Sequence, residues 1–219
     1  MFGLLRIPEK IVGKAVLAGV ERAVDARWDL AASRAAESAG QSVDERIDEL
    51  RGSFQRELAA VGAASGGIAA LPGAGTGAAL ATAAADIGWY TMRLADLVMT
   101  VAVIHGHEQA TVEERRAWVL SVLAFGSGAA AGLDVAAREV GKGLGSRQIG
   151  SVSGTTLRMI NGRLSTRLLR RYGLRRGAAT FGKLLPFGVG AAIGAGGNAW
   201  GVGAVADNAD SFFRDLPPG

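Results

Sequence analysis

Two histidines are the residues of this chain whose type and spacing come closest to a metal-binding pattern. His105 and His107 form a His-Gly-His sequence, and two imidazoles so spaced could bind a transition metal if other ligands joined them. The 219 residues include no Cys, which excludes disulfides, thiolate metal sites and a Cys nucleophile. Further ligands would have to come from scattered carboxylates. We therefore interpret the pair as part of a surface loop, and the sequence predicts no metal and no cofactor.

Asp86 and Asp96 are the acidic residues of an apolar segment, DIGWYTMRLADLVMTVAVIH. Asp96 follows Arg93 by three residues, a spacing that favours a local ion pair on a helix. If that helix face is buried, either carboxylate needs a partner and could line a polar site. The local ion pair is the simpler interpretation. An enzyme built on these carboxylates or on the histidines ranks last among our hypotheses.

Motifs for nucleotide binding and hydrolysis are absent or stand in the wrong context. The GAGTGA sequence at 73–78 is similar to a dinucleotide-binding loop, but it follows Pro72 and no strand precedes it. No GxxxxGK[ST], HExxH, GxSxG or EF-hand sequence occurs. The sequence therefore predicts a protein that is not an enzyme.

Positive charge is concentrated in one part of the chain. Between Arg138 and Lys183 there are eleven Lys or Arg residues and one acid, Glu139, although the whole chain carries only +4. Such a block predicts a surface for phosphate groups. Nucleic acid is not expected, because aromatic residues for base stacking are scarce and no DNA-binding motif occurs. The arginines predicted to contact anionic lipid are Arg163, Arg167, Arg170, Arg171, Arg175 and Arg176.

Two stretches rich in Ala and Gly organise the rest of the chain. The first, 58–85, has no charged residue and is interrupted by Pro72, so we predict a helical hairpin inside the fold, with bilayer insertion as the alternative. The second, 184–206, is just long enough to span a bilayer from Phe187 to Ala206, but Asn198 and its glycines make it a poor span. Glycines predicted to form the turn or close helix contacts are Gly73, Gly77, Gly190, Gly194, Gly197 and Gly201.

Helical periodicity accounts for most of the remaining sequence. Capping boxes begin at Ser42 and Thr111, and apolar residues recur at helical spacing from Thr156 to Arg171. A segment rich in Gly and Ser, 141–156, predicts a link between helices. We predict an all-α protein: a helical bundle with Gly/Ala-rich apolar hairpins. Residues 1–50 would form an amphipathic helical arm, and residues 51–219 a helical domain.

Four segments, in their order and spacing, resemble the EcsC family. They read AAVGAASGGIAALPGAGTGAAL, DIGWYTMRLADLVMTVAVIHGH, EERRAWVLSVLA and LLPFGVGAAIGAGGNAWGVGAVADNA, within about residues 50–215. The family usually has an aromatic residue where this chain has His105. The resemblance implies a predominantly helical EcsC-like domain over 51–219 and supplies no catalytic residues. The family's biochemical function is not established, but its namesake is encoded beside an ABC transporter, which implies an accessory role at a membrane.

Together these features favour a non-enzymatic, membrane-associated accessory or lipid-contacting protein. We expect it in the cytoplasm, peripheral to the inner face of the cell membrane, with an anionic membrane surface or lipid as its partner. Two alternatives stay open: a soluble helical adaptor that binds a protein partner, and a pore-forming effector that inserts its Gly-rich hairpins. Salt-sensitive vesicle binding and dye leakage distinguish the three.

Overall fold

A computed structural model describes residues 9–68, 76–141, 152–173 and 191–216, and all regular secondary structure within these ranges is helical. The predicted all-α helical bundle is confirmed. A short 3₁₀ turn, Gly126–Gly128, joins α5 to α6. The helices are α1 (Glu9–Ala26), α2 (Trp28–Glu37), α3 (Val43–Ile68), α4 (Thr76–Ile104), α5 (Val112–Phe125), α6 (Ala129–Arg138), α7 (Gly154–Gly173) and α8 (Ala191–Arg214).

Helix α4 is the centre of the bundle. Every residue from Tyr90 to Ile104 is buried, and α4 contacts α1, α2, α3, α5 and α8. A helix that is apolar on all sides needs neighbours on all sides, which explains why this segment has no clear amphipathic pattern. The helix predicted over Asp86–His105 is confirmed, and it begins earlier, at Thr76.

Two helical stretches of the described chain are long and apolar enough to cross a membrane. They are Ala84–Ile104 and Val112–Arg138, and their most apolar windows are 89% and 56% buried within the fold. A core helix meets the same criterion of length and composition, so the packing inside this chain already accounts for the first stretch. The two stretches are therefore weak support for membrane insertion.

The first Ala/Gly-rich stretch contributes the end of α3 and the start of α4, and these helices contact each other. The turn residues Pro72 and Gly73 and the second stretch's Gly190 lie outside the described residues. Gly77, Gly194, Gly197 and Asn198 have helical backbone in α4 and α8. At Gly201 a Cβ atom would meet the Tyr90 hydroxyl at 3.3 Å, so α8 lies close to α4 there. The packing roles of the other glycines stay predictions.

Helix α1 joins the core through one face. Val12, Val16, Val20 and Val24 are buried, and α1 contacts α4, α5 and α7. The helix approaches α4 most closely at Gly19, where a Cβ atom would lie 2.4 Å from the carbonyl oxygen of a facing glycine, Gly88. The described part of the predicted arm therefore shares a core with α4, while the domain boundary at residue 50 stays a prediction.

The starts of α3 and α5 have the predicted capping boxes. Thr111 Oγ1 accepts a hydrogen bond from the Glu114 backbone N–H at 3.3 Å, and the Glu114 carboxylate accepts one from the Thr111 N–H at 2.8 Å. Ser42 and Glu45 form the same reciprocal pair. These contacts satisfy backbone donors that a helix N-terminus leaves unpaired, and so fix where both helices begin.

Candidate anion-binding site

Helix α7 carries a row of arginines beside its buried apolar face. Leu157, Ile160, Leu164 and Leu168 are buried as predicted, and their burial fixes the rotation of α7 in the bundle. The row comprises Arg163, Arg167, Arg170 and Arg171. Successive members of the row are four, three and one residues apart. They therefore lie on one side of the helix over about two turns.

These arginines line an open cavity of about 590 Å³, which α7 forms with the ends of α5 and α6. Among the described residues, the lining includes four guanidinium groups and one carboxylate, which together carry a net charge of +3. The volume falls within the usual range for small-molecule pockets, about 300–1,000 Å³. The lining residues are Ala124, Phe125, Glu139, Arg163, Thr166, Arg167, Arg170 and Arg171. The cavity is therefore large enough for an organic anion.

Two of the four guanidinium groups are already bound within the fold. Arg171 Nη1 donates to the Ala124 carbonyl oxygen at 2.5 Å, in the last turn of α5, where helix carbonyls lack intrahelical partners. Arg167 forms an ion pair with Glu139. Arg163 and Arg170 are exposed and form no ion pair or side-chain hydrogen bond with another described residue. Judged by the described residues, these two guanidinium groups are the ones available to an added anion.

The sequence singled out the four arginines but not the cavity's other described lining residues, Glu139 and Phe125 among them. Glu139 is 28 residues before its partner Arg167, and Phe125 comes from the end of α5. Glu139 had one visible signal, as the single acid in the basic block. Phe125 had none. Arg175 and Arg176 lie outside the described residues, so their predicted role stays a prediction.

Asp96 lies in a buried ion network. Both of its carboxylate oxygens accept from Arg27 Nε at 2.9 Å, and one also pairs with Arg93. Arg93 in turn pairs with Glu57 at 2.5 Å, and Glu57 pairs with Arg34 at 3.2 Å. The local Arg93–Asp96 ion pair is thus confirmed. Because the carboxylate has partners on α4 and just before α2, we interpret it as a structural group that joins helices.

The surroundings of Glu57 lower the pKa of its carboxyl group, whereas those of Asp86 raise the pKa of its carboxyl group. Burial raises the pKa of Glu57, but hydrogen bonds and positive charge from Arg93 and Arg34 outweigh it, so the pKa lies below its usual value. Burial raises the pKa of Asp86, which is half-buried in the first half of α4. Phe54 lies between the two arginines, with its centroid 4.6 Å from Arg34 Cζ and 4.9 Å from Arg93 Cζ. These cation–π contacts add to the network.

The two histidines follow α4 and lie against aromatic rings of α5 and α8. His105 Nε2 is 2.9 Å from Asp210 Oδ1. The His107 ring is buried, with its centroid 5.2 Å from that of Trp118 and 5.4 Å from that of Phe213. The surface-loop prediction is therefore wrong for His107, because Trp118 and Phe213 cover it. Within the ranges that the structure describes, no three metal-ligating side chains form a cluster.

We expect His107 to make the fold less stable as the pH falls below about 6.5. Burial lowers the pKa of His107 and nearby His105 lowers it further, while Glu114 opposes both. The unfolded chain then takes up a proton more readily than the folded chain, so stability is present above the unfolded pKa and lost as the pH falls. Urea unfolding of wild type and His107→Leu at about pH 7.5 and about pH 5.5 measures this effect. The variant should lose less stability than wild type, and an equal loss would contradict the assignment.

Comparison of the chain with protein-family models, with curated proteins and with solved structures finds no match. The resemblance to the EcsC family therefore stays a prediction that rests on the four segments quoted above. The candidate site consists of a cavity between helices and the arginine row of α7. Two of its guanidinium groups have no partner among the described residues.

Proposed function

We propose that this protein is a non-enzymatic accessory protein that binds anionic membrane surfaces through the arginine row of α7. The observation that carries the proposal is the positively charged cavity with Arg163 and Arg170 available at its edge. A Lys or Arg near an anionic bilayer contributes on the order of 1 kcal/mol. Arg163 and Arg170 would therefore attract such a surface reversibly, without insertion of a helix.

We propose that the protein acts in the cytoplasm, at the inner face of the cell membrane. The negative surface potential of that face attracts basic segments. The EcsC resemblance supports an accessory role there, alongside transport or secretion. Peripheral attachment also suits the packing of α4, because the apolar window within Ala84–Ile104 is already 89% buried in the fold. Binding through α7 leaves that core intact.

Flotation of the purified protein with anionic and with neutral vesicles, at low and at high salt, tests this proposal. We expect the protein to float only with anionic vesicles and to be released by high salt. The physical reason is that the Debye length falls from about 10 Å at 0.1 M salt to about 3 Å at 1 M.

The other outcomes each contradict the proposal and point to one alternative. Absence of flotation under every condition would favour a soluble adaptor that binds a protein partner. Flotation that resists high salt would favour insertion of the Ala/Gly-rich stretches. Release of a trapped dye from the vesicles would favour the pore-forming alternative.

A further inference from the structure

We infer that the cavity between α5, α6 and α7 binds one phosphate ester that carries an organic group, and that Glu139 competes with this ligand for Arg167. The inference rests on the proposed function and deepens it. It replaces diffuse attraction between a basic helix and a charged surface with a site of defined stoichiometry.

The spacing of the arginines matches a ligand larger than a single ion. Arg163 and Arg170 are seven residues apart, which places their backbones about 10 Å apart along the helix. Arg167 lies between them, so guanidinium groups follow one another over two turns along one side of the cavity. Each guanidinium can donate two parallel hydrogen bonds to one phosphate. A phosphate bound by two of them leaves most of the cavity of about 590 Å³ for an organic group.

The cavity also has an apolar part of its lining for that organic group. Phe125 and Ala124 line it, and Arg167 Cζ lies 5.8 Å from the Phe125 ring centroid. The Phe125 ring lies against Gly132 of α6, where an added Cβ atom would come within 2.3 Å of the ring. A larger residue at position 132 would therefore force the ring to move. A cavity lined by both arginines and an aromatic ring suits an organic phosphate better than a bare ion.

Glu139 is the one carboxylate of the described lining, and it holds Arg167 in an ion pair. The pair is partly exposed, with side chains of Arg167 and Glu139 at 32% and 41% exposure. Exposed ion pairs are weak. A phosphate ester carries at least the charge of one carboxylate, and two or more guanidinium groups can bind it, so it can displace Glu139 from Arg167. Removing the negative charge with E139Q should raise affinity for the ester by about two- to fivefold.

Titration calorimetry of the full chain with three soluble probes tests the pocket. The probes are inorganic phosphate, glycerol 3-phosphate, and dihexanoylphosphatidylglycerol kept below its micelle concentration. We expect one of the two organic phosphates to bind with one-to-one stoichiometry and more tightly than inorganic phosphate. Binding of glycerol 3-phosphate would identify a free phosphate ester as the ligand source. Binding of the short-chain lipid alone would identify a lipid head group.

Variants of α7 separate the pocket from general charge. R163Q should weaken binding of the organic phosphate that wild type binds by about tenfold or more, because a charge-assisted hydrogen bond is lost. R158Q is the matched control: it removes the same charge from the far side of the helix, where Arg158 contacts Thr155 Oγ1 at 3.3 Å. R158Q should bind as wild type does. Circular dichroism and melting confirm that each variant is folded.

Two results would overturn the pocket while leaving the proposed function in place. One is wild-type flotation on anionic vesicles together with no saturable binding of any of the three probes. The other is an equal loss of probe binding in R163Q and R158Q. Conversely, one-to-one binding of glycerol 3-phosphate by a protein that never floats would reject the membrane proposal and keep the pocket.

Discussion

Replacing Asp96 by Asn is expected to destabilise the fold by about 3–5 kcal/mol, the usual cost of removing one partner from a buried ion pair. The side chains of Asp96 and Arg93 are 3% and 4% exposed, so the arginine left behind has little access to water. Arg27 also loses the carboxylate that accepts both of its hydrogen bonds. Arg93 keeps its contact with Glu57, which favours the lower end of this range. Urea unfolding followed by circular dichroism measures the change.

Asp25→Asn is the matched control for this substitution. Asp25 pairs with Arg116 at 2.9 Å, but its side chain is 53% exposed, so losing the pair should cost less than about 1 kcal/mol. Both variants remove one carboxylate charge and change one atom type. If Asp96→Asn and Asp25→Asn had similar free energies of unfolding, the buried network would not stabilise the fold as we expect.

Gly19→Ala is expected to destabilise the fold by about 3 kcal/mol. The new Cβ atom would lie 2.4 Å from the Gly88 carbonyl oxygen and 2.9 Å from Thr91 Cβ. Neither atom is the end of a flexible side chain, so α1 and α4 must move apart and lose contacts along their shared face. This cost exceeds the roughly 1 kcal/mol by which Ala is favoured over Gly in a helix. Thermal and urea unfolding both report the change.

Gly162→Ala provides a control with the opposite expected sign. Gly162 is exposed within α7, and a Cβ atom added there would meet no atom within 4 Å outside its own stretch of helix. The substitution should therefore stabilise the fold by about 0.5–1 kcal/mol through the helix preference of Ala. If both Gly→Ala variants were stabilising, the close crossing of α1 and α4 would be refuted.

Short-range sequence patterns predicted parts of the fold. The capping boxes at Ser42 and Thr111 and the Arg93–Asp96 pair join residues three positions apart, so each could be identified from spacing alone. The apolar face of α7 was equally clear, since one helical period repeats along it. For the capping boxes and the ion pair, both partners lie on the same helix or at its start, and for α7 the pattern itself lies within one helix.

Long-range partners could not be predicted in this way. Arg27 and Asp96 are 69 residues apart, and Glu139 is 28 residues from Arg167, so only the packing of helices brings each pair together. The same holds for Gly19 and Gly88. The sequence drew attention to glycines in Ala/Gly-rich stretches, whereas a backbone crossing depends on the glycine of a second helix that no local pattern reveals.

The charge distribution of the whole chain agrees with an oriented peripheral protein. The net charge is +4, and the block from Arg138 to Lys183 contributes +10, so the remainder of the chain carries −6. An anionic surface attracts the first part and repels the second.

Flotation of two double variants with anionic vesicles at low salt tests the central claim most directly. R163Q/R170Q removes the two available arginines of the cavity, and R138Q/R158Q removes the same charge from exposed positions outside its lining. At on the order of 1 kcal/mol per arginine, the first variant should bind about 30-fold more weakly than wild type, and the second should bind nearly as well. Equal binding of the two variants would contradict a specific role for the α7 arginine row.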